Sequence, residues 1–571
     1  MALAMKKIIQ TVLLKFTLLF LLNVLIFCAG YAQTVDSLNI PGLNIAVSSS
    51  SWVSAAIPLP NGQILAGGNY IAFVSSGGQT HTNLVRINSD GSVDDAFTSR
   101  ITGAQQSGLL ITCLTLQTNE QILIGGPFQQ INGQTHLNIG RLNADGSLDT
   151  NFNAGFVNNS INSILVQPDG QILVGGSFTT FNSKSCIGLC RLNNDGSLDT
   201  NFNAGADKSV VAIALQPDGK IVVEGNFTTI GGQSRTNLAR LNTDGSIDSG
   251  FQSAAFRFFG QSAYFGNGGA VLIQPDGKIV VGGLFDTVNG LTHVNIVRFN
   301  VDGTLDTGFN AQADLYNSWG LQTLAIQTDG KILVGDDSQT LDANPCPYFG
   351  RLNAAGSLDA SFSKNLVFGS MVFSAAIQPD GKILTGGIFS TLGGLPRNNL
   401  GRIINTVAAN QSLNYDGTNI IWLRGGASPE VWRTSFESST NGSNWIYLGD
   451  GIRISGGWQL TNPFVSTNAS IRARGFVAGG RFNGSSWFVE SMYPQIPPTI
   501  MLNHANLGFR TNQFGFSFGG SAGSTVVIDT SSTLLNWTPI ATNMVPRGPL
   551  YFNDPTSTNF IQRFYRARLL L

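Results

Sequence analysis

"LQPDGKIVVEGNFTTIGGQSRTNLARLNTDGSIDSGF", residues 215–251, stands nearly unchanged at 166–202 and again at 273–309. Taking the glycine of its "QPDGK" turn as a ruler, copies end at Gly62, Glu120, Gly170, Gly219, Gly277, Gly330 and Gly381. The arginine of "RLNxDGS" recurs in step at Arg86, Arg141, Arg191, Arg240, Arg298, Arg351 and Arg402. Two rulers thus give seven units of about fifty residues. A period of this size belongs to propeller blades or helical arrays, and no helical periodicity is present.

Each unit contains four short β-like runs. In the quoted copy they are Val210–Gln216, Lys220–Val223, Asn237–Asn242 and Ser246–Phe251. Asp218-Gly219 and Asp244-Gly245 punctuate them, and Asp-Gly pairs favour tight turns with positive φ. Ile221-Val222-Val223 is apolar on both faces, the mark of a strand packed above and below. Four-stranded sheets covered face to face by their neighbours are the blades of a β-propeller. Phe128, Phe178, Phe227, Phe285 and Phe389 follow the second run, and Phe97, Phe152, Phe202, Phe251, Phe309 and Phe362 follow the fourth. Rings at fixed places fill the wedges between splayed sheets. Glycines such as Gly175-Gly176 allow close backbone approach.

The closing phrase of the "GSLDTNF" type is missing after Arg402, where "RIINTVAANQ" runs off instead. "DSLNIPGLN", Asp36–Asn44, is similar to the missing phrase. The reading is therefore an all-β chain: a seven-bladed propeller over 33–404, its last sheet completed by the N-terminal strand so that no edge stays open.

This repeat closely resembles that of the delta-60 repeat β-propellers of secreted bacterial proteins. The resemblance implies a propeller in an envelope or extracellular setting and carries over no catalytic residue and no cofactor.

Two further segments share a pattern. "SSTNGSNWIYL" (Ser438–Leu448) precedes "IRARGF" (Ile471–Phe476), and "SSTLLNWTPI" (Ser531–Ile540) precedes "FYRARL" (Phe564–Leu569). Alternating strands around one core Trp suit small β-sandwiches at 405–497 and 498–571, joined by the stiff "PQIPP" of Pro494–Pro498. Both are similar to fibronectin type III-like modules, which implies a spacer or adhesive role.

The chain's 571 residues exceed one ordinary core, and charged residues are only 11%. Residues 1–32 read as an export signal: Lys6 and Lys7, an apolar run Leu18–Phe27, and small residues at Gly30 and Ala32. A lipoprotein signal using Cys28 ranks lower, because Phe27 is too bulky for the residue before it. Without this segment 29 basic residues face 33 acidic ones, so a nucleic-acid partner is not indicated. No later apolar run is long enough to span a membrane. Localisation is expected to be secreted or at the cell surface.

Cys186 and Cys190 fall in one expected strand, where extended chain holds them about 13 Å apart, too far for a disulfide. Without a CxxC pair no metal site is expected. His81, His136 and His293 share one place in three units, which indicates repeat ancestry. The arginines of "RLN" present in every unit read as a structural pairing with the turn Asp or a neighbouring carbonyl.

Function should break the symmetry of the repeat. Glu224 replaces a glycine in unit four, and Asp336 and Asp337 stand in "VGDDSQ" of unit six. These are the candidates for acid–base chemistry if the propeller is a glycoside hydrolase or polysaccharide lyase with an axial pocket. The stronger departure is the long loop 252–269, "QSAAFRFFGQSAYFGNGG", which carries Phe256, Arg257, Phe258, Phe259, Tyr264 and Phe265. Exposed aromatic loops on rigid scaffolds bind ligands. The first expectation is thus a non-enzymatic binding or adhesion protein for polysaccharide or cell-envelope partners. The others are the enzyme just described and a structural surface component.

Overall fold

Blade four shows how the repeat folds. Val210–Leu215 pairs antiparallel with Ile221–Gly225, which pairs in turn with Leu238–Leu241. Between the first two strands Gly219 adopts φ +83°, and the Asp218 carboxylate accepts the Lys220 N–H at 3.1 Å. A side chain other than glycine would be strained there, so the Asp-Gly pair fixes the hairpin. The fourth run contracts to one bridge, Leu241 to Ile247. Beyond it the Asp248 carboxylate accepts the Gly250 N–H at 3.0 Å and turns the chain. The sequence also concealed a small hairpin in each blade, between the second and third strands; in blade four Thr229–Ile230 pairs with Gln233–Ser234.

The structure is a computed structural model that describes the chain from Ser51 onward, apart from short stretches such as 104–109, 264–267, 494–498, 502–506 and 520–524. The proposed closing strand Asp36–Asn44, the linker Pro494–Pro498, and Tyr264 and Phe265 lie outside the described residues. Among the described residues no helix is long and apolar enough to cross a membrane.

Seven blades of three strands each form a ring, the second continuous with a sheet of the C-terminal module. Their first strands are Trp52–Pro58, Cys113–Leu116, Ile161–Val166, Val210–Leu215, Gly269–Ile273, Thr323–Ile326 and Val372–Ile377, each packed on the next. The last returns to the first: the Ala56 N–H donates to Ser374 Oγ at 3.2 Å, and Asn399 Nδ2 donates to the Ser51 carbonyl at 3.1 Å. Phe128, Phe178, Phe227, Phe285 and Phe389 are buried between sheets.

An arginine clasp repeats around the rim. Arg240 Nε donates to Asp248 at 2.7 Å, Lys220 Nζ approaches the same carboxylate at 3.0 Å, and the guanidinium lies 4.7 Å over the Phe251 ring. A second guanidinium nitrogen reaches the next blade: Arg191 to the Thr243 carbonyl at 2.7 Å, Arg298 to the Ala354 carbonyl at 2.6 Å. The arginine therefore meets the expected neighbouring carbonyl, but its acid partner is the Asp of the closing phrase, as Asp248, and not the Asp of the Asp-Gly turn.

Two expectations are corrected. Cys186 and Cys190 are disulfide-bonded, with Cα atoms 6.2 Å apart. The strand begins only at Leu189, and Gly188 at φ +71° bends the preceding chain back, so the extended spacing never applies. The first C-terminal module is also no spacer. One of its sheets joins Ala409–Tyr415, Asn419–Gly426, Gly457–Thr461 and Ile452–Ile454. The other joins Ile446–Asp450, Arg433–Ser439, Ser470–Gly479 and Ser485–Tyr493, and its last strand pairs with the propeller, Ser486 opposite Thr115.

The core tryptophans of this module are Trp422, Trp458 and Trp487. Trp445, after the Ser-Ser-Thr turn, is instead a half-buried ledge with Arg472 stacked 4.0 Å above it. Arg566 stacks on Trp537 in the same way at 4.5 Å in the second module. The Arg-Ala-Arg strands are neutralised by acids eight residues before each Trp, Arg472 on Glu437 at 2.8 Å and Arg568 on Asp529 at 2.8 Å.

Candidate functional site

Three places depart from the symmetry of the ring: the long loop of blade five, the buried acids, and the axis.

In blade five the loop forms a β-ribbon. Phe256–Phe258 pairs with Gln261–Ser262 and adds to the blade's small hairpin, Phe256 opposite Val288. Phe256 is a core residue, its ring 5.1 Å from Phe285 and 5.9 Å from Phe299. Phe258 and Phe259 form a pair with centroids 4.5 Å apart, and Phe259 is 73% exposed. Arg257 is exposed beside them. Phe259 and Gly260 make the turn with φ +47° and +75°, a conformation that asparagine-glycine normally supplies. A bulky residue there is strained, and strain of this kind concentrates at functional positions. Asp286 fastens the turn by accepting the Phe259 N–H at 2.7 Å. The ribbon thus holds the Phe259 ring and one cation outward on a fixed support, with Phe258 half-buried behind them.

The candidate acids are not brought to one site. Glu224 is fully buried against blade five, its carboxylate close to Gly269. It has no hydrogen-bond partner among the described residues, and burial pushes its pKa well above the usual range. Asp336, also buried, accepts the Ser338 N–H at 3.0 Å on blade six, and Asp337 accepts the Trp319 N–H at 3.2 Å. Two blade boundaries separate the acid of blade four from those of blade six.

The histidines do not converge either. His81 faces Asp95 at 3.0 Å, and burial lowers the pKa of His136 and His293 on their own blades. No group of three metal-ligating side chains occurs among the described residues.

The axis is occupied by the chain itself. The hairpin Ser470–Gly479 with Ser485–Tyr493 enters the ring, and its tip, Gly480 to Gly484, lies among the first strands of the blades. Leu324 N–H donates to Asn483 Oδ1 at 2.9 Å and Asn483 Nδ2 donates to the Val271 carbonyl at 3.1 Å. Leu114 N–H donates to Ser485 Oγ at 3.0 Å, Phe482 N–H to the Gln322 carbonyl at 2.7 Å, and Ile164 N–H to the Gly484 carbonyl at 3.0 Å. Backbone groups that face the channel are thereby satisfied without water. A side chain at Gly484 would sit 2.2 Å from the Asn162 carbonyl, so only glycine passes this point.

Arg481 rides at this tip and is 3% exposed. Its guanidinium lies 4.6 Å from each of the Phe373 and Phe482 rings. Nothing in the local sequence marks it, since apart from Phe482 its side-chain neighbours, Phe373 and Gln322, are more than a hundred residues distant in the chain. A cavity of about 120 Å³ lies beneath the module at the turn face of the ring. It is lined by Leu215, Val271, Ile326 and Trp487 and by the ion pair of Glu430 with Arg453 at 2.5 Å.

Comparison with known proteins agrees with the ring. Residues 59–97, 117–152, 167–202, 216–251, 274–309, 327–362 and 378–403 match the family model described as a domain of unknown function (DUF5122) beta-propeller. The seven matched segments coincide with the seven blades and support a β-propeller repeat. No curated protein matches. Among solved structures, the WD40 beta propeller domain of Doa1 is 13% identical, covers 62% of this chain and 93% of its own, and superposes with a TM-score of 0.37. The tetra-tandem repeat in the extending region of a large adhesion protein is 12% identical over 77% of this chain and 89% of its own, with a TM-score of 0.12. The fold rests on the repeats and the closed ring; neither superposition adds to it.

Proposed function

We propose that this chain is an exported, non-enzymatic binding protein whose propeller presents loops to polysaccharide or to other cell-envelope components. The observation that carries the reading is the blade-five ribbon. Phe259 stands outward in a strained turn on a rigid blade, against the half-buried Phe258 and beside the exposed Arg257. Exposed aromatic rings with a neighbouring donor suit sugar rings and peptide segments alike. The delta-60 reading of the repeats and the fibronectin type III-like reading of the C-terminal modules belong to the same proposal. The latter is supported by the two-sheet strand order of the first module and by the acid, Trp and Arg-Ala-Arg pattern common to both.

The test is a glycan array probed with the mature full chain and with its Phe258→Ala/Phe259→Ala variant. Binding that falls at least tenfold in the variant supports the reading. Undiminished binding removes the ribbon from it. A parallel screen for new reducing or unsaturated sugar ends addresses the enzyme, and turnover abolished by Asp337→Asn would overturn the binding-only account.

A further inference from the structure

Arg481 is a cation without a counter-ion among the described residues. Its one hydrogen bond among the described residues runs from Nε to Gln322 Oε1 at 3.2 Å. Its other close neighbours are the faces of Phe373 and Phe482. Arg351 meets Asp359 at 2.9 Å and Arg472 meets Glu437, whereas Arg424, also buried, donates to the Pro429 carbonyl and stacks on Trp422. Isolated burial of a full charge is costly, and proteins relieve it by pairing. Burial alone lowers the Arg481 pKa to about 10, still far above neutrality, so the group keeps its charge.

Beyond the buried Phe373 ring lies a partly exposed indole. Gln322, which receives the Arg481 Nε–H, donates from Nε2 to the Trp319 carbonyl at 2.8 Å. The Trp319 ring packs on Phe373 with centroids 6.5 Å apart and is 38% exposed. Trp319, Phe373 and Arg481 thus form a file from a partly exposed indole to a buried guanidinium. A guanidinium presents a planar fork that matches a carboxylate, and an indole face suits the C–H face of a sugar.

We infer that the axial end of this file is a subsite for the carboxylate of an acidic sugar, Arg481 holding the acid and Trp319 the ring. This deepens the polysaccharide reading above and rests on it. The mature chain is net acidic, so the preference comes from this one group and not from a general positive field.

Calorimetry on the mature full chain with trigalacturonate, neutral trigalactose, sulfate and chloride tests it. The expected result is binding of the acidic trisaccharide at least tenfold tighter than the neutral one. Arg481→Met should abolish that preference and leave affinity for the neutral sugar within twofold, and Trp319→Ala should weaken both sugars. The Met variant removes a buried unpaired charge, so its melting temperature should not fall. Arg481→Lys keeps the charge without the fork and should retain part of the preference. Equal affinity for both sugars, or a preference that survives in Arg481→Met, overturns the inference. Binding of sulfate or chloride without either sugar also overturns it, as a site for inorganic anions only. Neutral-sugar binding that is lost in the Phe258/Phe259 variant but indifferent to Arg481 leaves the ribbon reading standing while this one fails.

Discussion

Glu224 stands where the other blades have Gly67, Gly125, Gly175, Gly282, Gly335 or Gly386. Those glycines are required because a Cβ there meets the neighbouring blade, as at Gly175, where it would lie 3.1 Å from both Val210 and Ile213. The exchange is tolerated because Gly269 of blade five faces Glu224, at the register position that Ile161, Val210 and Val372 hold in their blades. The acid is buried without a partner among the described residues and holds its proton, the opposite of what a charged catalytic base requires. The sign of its effect follows. The folded state keeps a proton that the unfolded chain releases above the ordinary glutamic range, so stability is fully present below about pH 4.5 and declines as pH rises toward the folded pKa. Glu224→Gln lacks this penalty. Its advantage should be absent at pH 4 and grow by up to about 1.4 kcal/mol per pH unit above that, as read from denaturant melts at several pH values. A constant difference across pH would contradict it. The substitution was legible in the sequence, but its compensation by Gly269 was not, because the two belong to different blades.

At the scale of the blade, the clasp decides. Burial works to raise the Asp306 carboxyl, but hydrogen bonds from Lys278, Arg298 and the Gly308 N–H outweigh it and bring the group down to about 2. A carboxyl depressed in the fold adds stability above its unfolded pKa of 3.8 and loses it as pH falls toward 2. Asp306→Asn should cost about 3 kcal/mol at pH 7, with the penalty shrinking below pH 4; thermal melts at the two pH values check it. The blades were readable because their period is written in turn residues that need positive φ, and such residues are local. The fourth strand was overread because "GSIDSGF" alternates like a strand. Its Asp248 in fact turns the chain so that Phe251 lies under Arg240. The Cys186–Cys190 bond was missed for a related reason, since the bend at Gly188 interrupts an apolar run that reads as continuous.

At the scale of the molecule, the ring and its axial hairpin depend on each other. Seven blades leave a channel lined by backbone groups, and the first C-terminal module fills it with a glycine-bounded tip. This arrangement left no mark in the sequence. Ser485 and Leu114 are bonded across 371 residues, and no periodicity reports a contact of that separation. It also changes what the chain can do. The C-terminal module does not hold the disk at a distance, and the axis carries one buried arginine where an open tunnel would otherwise run. The ligand surface we propose is accordingly the loop face around Trp319 and the blade-five ribbon.

The most direct measurement is a cross-link between Thr115 and Ser486, whose hydroxyl oxygens lie 3.3 Å apart in the parallel bridge between propeller and hairpin. In a Thr115→Cys/Ser486→Cys variant of the full chain, carrying Cys113→Ala to remove the adjacent thiol, mild oxidation should join the two positions in nearly every molecule, as seen by mass spectrometry of the linked peptide. Two freely alkylated thiols in natively folded protein would show that the hairpin does not occupy the axis.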